Sequence, residues 1–421
     1  MLINMQYGQD GLNLDLPRDN VTVIRPQHVP GLEDEQKSFI ASVNAPIQTP
    51  PLVDLIQADD RIAVVIADIT RPLPSERLLT WLFSELRHVP RENFTIIIGT
   101  GSHRACTVAE IESMVGIEVA RGYRIINHNS FDDDALEVVG HLDGEHGDLK
   151  INREYVRADK RILLGFIEPH FMAGFSGGYK AVFPGIAGIE AIMYYHRAEV
   201  IGHPRSTWGV LEDNPTQTQI REYGSMLPVD FCINVTMNRK HEITRIFCGN
   251  TFAVHEQGCA FVKETAMVSC ERPFPIVITS NSGHPLDQNL YQTVKGMCAA
   301  AEIISSGGLI VTCARCNDGF PDHGNFTDLL REYQSPQALL DAITVPGFHM
   351  MDQWQAQKLA QVQIKASVAL YSEIVAEELM GVQIEPVVDL DTFLEHKLGA
   401  LGPEVPVAVL PEGPMSIPYL S

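Results

Sequence analysis

The sequence is poor in positive charge: 31 lysines and arginines stand against 53 acidic residues, a formal net charge of −22. Phosphate backbones and anionic membrane surfaces are gripped by basic stripes, and none is evident, so nucleic acid and membrane are excluded as partners. Small anions held by a local pocket are not excluded. No apolar run approaches the roughly 20 residues that span a bilayer, and residues 1–16 have no basic region leading into an apolar one, so no secretory signal is expected. Eight cysteines scattered over 421 residues make no disulfide scaffold and fit a reducing cytoplasm, the expected location. The single close pair, Cys313-Ala-Arg-Cys316, has no second pair to complete a metal site and reads as two unlinked thiols. Long internal repeats, low-complexity tracts and charge blocks are also missing.

What is there is alternation. The apolar runs 61–67, 94–98, 123–126 and 161–166 read as buried strands. Between the first two, Leu78, Leu79, Leu82, Phe83 and Leu86 repeat at helical spacing. Thr107-Val-Ala-Glu110 is a capping-box signature that opens the next helix. Strands at 231–235 and 243–247 and a helix over 251–267 finish this series. Two prolines in 269–275 then break the pattern, and a second series begins at 276–279, with strands at 309–312 and 368–371 and helices near 286–301, 353–366 and 391–398. The reading is an α/β fold class: two α/β domains with mostly parallel sheets and an active-site cleft between them. Residues 1–270 are expected to form the first domain, 271–405 the second, and 406–421 a C-terminal tail.

Open α/β sheets bind ligands beyond the carboxyl ends of their strands, and here a polar cluster follows every early strand. They are Asp68-Ile69-Thr70-Arg71, Gly101-Ser-His103-Arg104, Asn127-His128-Asn129 and Glu168-Pro-His170. The last runs into Gly174-Phe-Ser-Gly-Gly-Tyr-Lys180, which is no Walker loop, because Tyr179 separates glycine from lysine and Ala181 replaces the hydroxyl. Its glycines admit a close ligand, and the lysine can hold a phosphate or form a covalent bond. Imidazoles titrate near neutrality, so His103 and His170 are acid/base candidates, and two of them on opposite faces of one carbon would serve both enantiomers. His196 follows the loop on a helical pattern over 189–200. Imidazole suits nickel, zinc, copper or iron, but one histidine needs further ligands from a cofactor. Arg71 and Lys295 are candidates to hold a carboxylate.

Taken together, Asp68-x-Thr-Arg71-Pro, Gly101-x-His103-Arg104, Glu168-Pro-His170, Ser176-Gly-Gly-x-Lys180, His196, Gln292-x-x-Lys295 and Asp352-Gln-Trp354-Gln resemble the nickel-dependent lactate racemase family. The resemblance spans most of the chain. It implies a nickel-pincer nucleotide, Ni(II)-pyridinium-3,5-bisthiocarboxylate mononucleotide, held covalently by Lys180 through a thioamide, with His196 completing the nickel coordination. It implies that Asp68, Ile69, Thr70 and Arg71 contact the nucleotide and that Trp354 packs near it. His103 and His170 would alternate as proton acceptor and donor, and Arg71, Gln292 and Lys295 would bind the substrate. The implied reaction is racemisation or epimerisation of a 2-hydroxy acid by proton-coupled hydride transfer, with cofactor-biosynthesis proteins as partners. Tyr179 and Tyr195 depart from the family's common residues, leaving lactate, a longer 2-hydroxy acid, malate and a sugar acid open as substrates. The competing expectations are a non-catalytic family member that binds a nucleotide or hydroxy acid, and a pyridoxal-phosphate lysine enzyme.

Overall fold

The structure, a computed structural model, describes residues 1–144, 146–322 and 324–421. The chain forms two compact units, one of residues 28–195 and 209–264, the other of residues 1–27, 196–208 and 265–421.

The first unit is built on a six-stranded sheet. Its order is Ile243–Gly249, Phe231–Met237, Lys160–Phe166, Ile62–Ala67, Phe94–Gly99 and Arg124–Asn127. All pairs are parallel except the edge strand Ile243–Gly249, which runs antiparallel to its neighbour. Both faces are covered, which is why the strands are continuous apolar runs. Ile62, Val64 and Ile66 enter one core with Ile96, Ile98, Ile162 and Leu164. The residues between them, Ala63, Val65, Ile97 and Leu163, enter the other. The register pairs Ala67 with Gly99, so the chain leaves neighbouring strands at one level and delivers Asp68 and Thr100 side by side at the carboxyl edge. The helix Val108–Val115 starts at the expected capping box, with Thr107 and Glu110 exchanging bonds with each other's backbone N–H.

The second unit has an all-parallel six-stranded sheet in the order Glu385–Val387, Ser367–Tyr371, Ile304–Cys313, Phe274–Ser280, Val407–Leu410 and Val21–Val23. The expected division at residues 270 and 405 differs from the observed one: residues 1–27 and 196–208 belong to the second unit, and the expected tail is part of its sheet. Val407–Leu410, expected in a tail, pairs with Phe274–Ser280 inside this sheet. The opening hairpin Leu2–Met5 with Leu12–Asp15 sends Ile3, Met5 and Leu14 into the core that holds Ile276, Val311 and Val409. The physical reason is burial: Val407–Leu410 lies inside the sheet between Phe274–Ser280 and Val21–Val23, and the hairpin, a separate two-stranded sheet, packs its apolar side chains into the same core. The helical pattern over 189–200 is also divided, into Ile189–Tyr195 and Ala198–Ile201. Tyr194 and Tyr195 belong to the core of the first unit, whereas His196 stacks on Trp354 of the second. Among the described residues no helix is long and apolar enough to cross a membrane.

One backbone position on the first unit can be tested directly. Gly174 sits at φ +76°, paired with His170 across a two-residue hairpin, and a Cβ there would stand 2.1 Å from the carbonyl oxygen of Val210. Both the left-handed conformation and the collision with backbone oppose any side chain. Gly174→Ala is expected to lower unfolding stability by about 3 kcal/mol in urea titration. An effect below about 1 kcal/mol would show that the hairpin yields easily.

Candidate active site

The turn after Ile62–Ala67 is organised by Asp68. Its Oδ1 accepts from the Thr70 hydroxyl at 2.6 Å and the Thr70 N–H at 3.2 Å, and its backbone carbonyl accepts from Arg71 N–H at 3.2 Å. Ile69 is left 39% exposed on this turn. The other carboxylate oxygen, Oδ2, lies 2.7 Å from His103 Nδ1. His103 is placed by its own N–H, which donates to Thr100 at the end of the adjacent strand. Burial of Asp68 favours its neutral form, but the hydrogen bond and charge of His103, the Thr70 hydroxyl and the Arg71 charge outweigh it and hold the carboxyl below its ordinary range. Asp68 is therefore an anion at neutral pH. It fixes the His103 tautomer with Nδ1 as donor and Nε2 carrying the lone pair, an assignment made from the bonding pattern.

The strand Lys160–Phe166 delivers Glu168 and His170. Arg71 Nη1 meets Glu168 Oε1 at 3.3 Å, with both side chains about one-quarter exposed (28% and 25%). Ser176 Oγ accepts from Glu168 N–H and donates to the Phe166 carbonyl, drawing the loop back onto the strand end. In the hairpin Pro169–His170 with Gly174–Phe175, His170 Nδ1 accepts from the N–H groups of Met172 and Ala173, each at 3.2 Å. In this arrangement the neutral ring carries its proton on Nε2.

The glycine loop then closes on Lys180. Gly177 and Gly178 have φ +88° and +55°, and a Cβ at Gly177 would fall 2.7 Å from Asn234 Oδ1, the atom that accepts the Gly178 N–H at 2.8 Å. A one-turn 3₁₀ helix, Gly178–Ala181, carries the lysine. Part of its side chain remains reachable by solvent, yet protein crowds the ammonium. Burial first, then the Arg71 charge, pushes the Lys180 pKa down to about 8, while Glu168 and Asp68 offset only part of the effect. Asp68, Arg71, His103, Glu168, His170 and Lys180 thus belong to one strand-end cluster of the first unit.

The remaining predicted residues lie in the second unit. The His196 and Trp354 rings stack, with centroids 4.1 Å apart and planes at 28°. The Trp354 indole N–H donates to Tyr291 Oη at 3.3 Å, which in turn donates to Asp352 Oδ1. On the helix Leu290–Ala301, Lys295 Nζ donates to Gln292 Oε1 at 2.6 Å. All eight cysteines are free and buried, and burial holds both Cys313 and Cys316 up at about 12. Among the described residues no group of three or more His, Cys, Asp or Glu side chains can hold a metal ion.

Sequence reasoning missed several partners. The Asp68 to His103 bond, the Glu168 partner of Arg71 and the Tyr291 link to Trp354 depend on strand and helix order. Asn234 left one signal, a lone amide inside the largely apolar strand Phe231–Met237.

Family models supply the wider comparison. Residues 7–209 match the model described as the lactate racemase N-terminal domain, and residues 270–417 match the lactate racemase C-terminal domain. The chain is 34% identical over 418 residues to the lactate racemase of Thermoanaerobacterium thermosaccharolyticum, covering 98% of this chain and 97% of that protein. It is 35% identical over 386 residues to the lactate racemase of Lactiplantibacillus plantarum, covering 90% of each. The solved structure of the Thermoanaerobacterium thermosaccharolyticum lactate racemase apoprotein superposes with a TM-score of 0.91 at 33% identity, covering 99% of this chain and all of that one.

Proposed function

The chain belongs to the lactate racemase family and is an isomerase, and from this premise we propose that it racemises lactate or a closely related 2-hydroxycarboxylate with a nickel-pincer nucleotide held by Lys180. The observation that carries the reading is the state of Lys180. A lysine pushed down to about 8 by burial and the Arg71 charge, within reach of the Glu168 and Asp68 charges, offers a neutral amine that an ordinary surface lysine withholds at neutral pH.

The residues present fit the group. Gly177 and Gly178, at positive φ and packed where a Cβ would strike Asn234 or His255, fix the turn that presents the lysine, whose depressed pKa makes the amine available for a thioamide. His196 would offer the nickel one imidazole, and the nucleotide would supply its other ligands. When bound, the nickel-pincer nucleotide supplies a reversible hydride acceptor. The remaining work falls to the chain. His103 Nε2 takes the substrate hydroxyl proton, and Asp68 stabilises the imidazolium that forms. His170 serves the opposite face. Arg71 on the first unit would contact the carboxylate, with Glu168 orienting its fork, and Gln292 and Lys295 on the second unit are its further proposed ligands. Asp68, Ile69 and Thr70 would contact the nucleotide, and Trp354 is proposed to pack near it. The working location is the cytoplasm, and cofactor-biosynthesis proteins act on the chain before turnover.

The test is co-expression with the cofactor-making enzymes, followed by intact-mass spectrometry and chiral analysis of a panel of 2-hydroxy acids carrying deuterium at carbon 2. An adduct on the wild-type chain and racemised product that keeps its deuterium are expected. Loss of deuterium to water would indicate carbanion chemistry, and absence of turnover on every acid would indicate a binding protein. Asp68→Asn removes the anion that holds the His103 tautomer. It is expected to lower turnover per mole of adduct by about 30-fold or more, measured by the same two assays.

A further inference from the structure

The strand-end cluster Asn127-His128-Asn129 is left without a role by the chemistry above, yet the side chains of Asn127 and His128 are committed to the two loops that carry that chemistry. Asn127 clasps the backbone of Cys106, its Oδ1 accepting from the N–H at 2.9 Å and its Nδ2 donating to the carbonyl at 3.0 Å. The carbonyl of His128 accepts from the Thr100 hydroxyl at 2.7 Å, and Thr100 receives the N–H of His103. The loop of His103 is therefore held at both ends by this dipeptide.

The His128 ring faces the other loop. Its Nε2 lies 2.8 Å from the carbonyl of Ala187, while Asn152 Nδ2 lies 3.3 Å from Nδ1. The backbone N–H of Asn152 donates to Ile186, and that of Gly101 donates to Gly185 at 3.0 Å. The segment 185–187 follows directly from the turn that carries Lys180. With Nδ1 accepting from Asn152, the ring donates from Nε2 to Ala187; the first bond needs the neutral form, and the two together fix its tautomer. Burial favours that form and pushes the His128 pKa down to about 4. An apolar side chain would pack at this site, 2% exposed, without the desolvation penalty of an imidazole. The polar groups are instead spent on bridging two loops.

We propose that Asn127 and His128 are positioning residues that lock the loop of His103 to the segment following Lys180 and so set the separation between the acid/base group and the cofactor lysine. The proposal rests on the racemase reading. Neither side chain is a catalytic residue, and both act through the backbone they hold. A shift of about 1 Å between reacting groups is enough to lower rates by up to about 100-fold.

The experiment uses the co-expressed holoenzyme and reads turnover per mole of covalent adduct, so that misfolded or unloaded protein does not count. His128→Leu is expected to keep the adduct and a KM within about threefold of wild type while adduct-normalised kcat falls by about 30-fold, and His128→Gln, which restores a donor and an acceptor, recovers most of that loss. Asn127→Leu is expected to act in the same direction. Normalised kcat within threefold of wild type in both leucine variants overturns the proposal, because a merely structural role changes the amount of loaded enzyme and not its rate. If His128→Leu yields no folded protein, Asn127→Leu and the milder Thr100→Val decide by the same criterion. A wild-type chain without adduct or turnover would sink the racemase reading itself and the proposal with it, a result distinct from a loaded, active wild type with unaffected variants.

Discussion

Lys180→Ala, co-expressed with the cofactor-making enzymes, is expected to carry no adduct and show no turnover, while Lys180→Met leaves the apoprotein at least as stable as wild type at pH 7. The first half follows from the chemistry of the thioamide, for which no other amine of the cluster substitutes: Arg71 is a guanidinium engaged with Glu168. The second half follows from desolvation. The lysine ammonium is crowded by protein and repelled by Arg71, and its pKa falls from an ordinary 10.5 to about 8. Between about pH 8 and 10.5 the unfolded chain holds the proton and the folded chain does not, so wild-type stability rises with pH across that window. Below pH 8 both states are protonated and the penalty is fully present. Lys180→Met removes it, and the difference between the two apoproteins in urea unfolding should be largest at pH 7 and shrink by pH 10. A methionine variant that melts several degrees below wild type would show that the lysine stabilises the loop. The same depression governs reactivity. The neutral fraction of Lys180 rises about tenfold between pH 7 and 9 and then levels off, whereas ordinary lysines continue to gain. Peptide-resolved acylation of the apoprotein across this range distinguishes the two.

The strands and their polar ends are legible in the sequence for a physical reason. Parallel strands covered on both faces are continuous apolar runs, and the first polar residue beyond each run marks the sheet edge, as at Asp68, Thr100, Asn127 and Glu168. What joins those ends is not legible. Asp68 and His103 are 35 residues apart and meet only because Ile62–Ala67 and Phe94–Gly99 are neighbours in register. Arg71 and Glu168, 97 apart, meet because Lys160–Phe166 lies on the other side of the same strand. Strand order of this kind is fixed by packing and crossover handedness, which leave no local periodicity. The same limit applies to Val407–Leu410, a four-residue apolar run whose membership in the second sheet depends on an edge provided more than 100 residues earlier.

His103→Ala and His170→Ala are each expected to lower racemisation by about 1,000-fold or more while leaving the adduct intact. The two histidines start from different proton inventories. His103 donates from Nδ1 to Asp68, which leaves the Nε2 lone pair free of that bond; in the proposed role Nε2 would accept the substrate hydroxyl proton and the carboxylate would stabilise the resulting charge. His170 has Nδ1 occupied as an acceptor from Met172 and Ala173, which places its proton on Nε2. To act as a base it must move that proton to Nδ1, and to act as an acid it must carry protons on both nitrogens, so in either role those two backbone bonds open. Neutral bonds of this length contribute about 1 kcal/mol each, small beside the barrier they precede. If the histidines address opposite faces of carbon 2, each single variant keeps one of them. His103→Ala should then form a trace of 2-keto acid from one enantiomer only, and His170→Ala from the other, read by trapping the keto acid with a hydrazine. Oxidation of the same enantiomer by both variants would place the two imidazoles on one face, and full racemisation by either would remove that histidine from the acid/base pair.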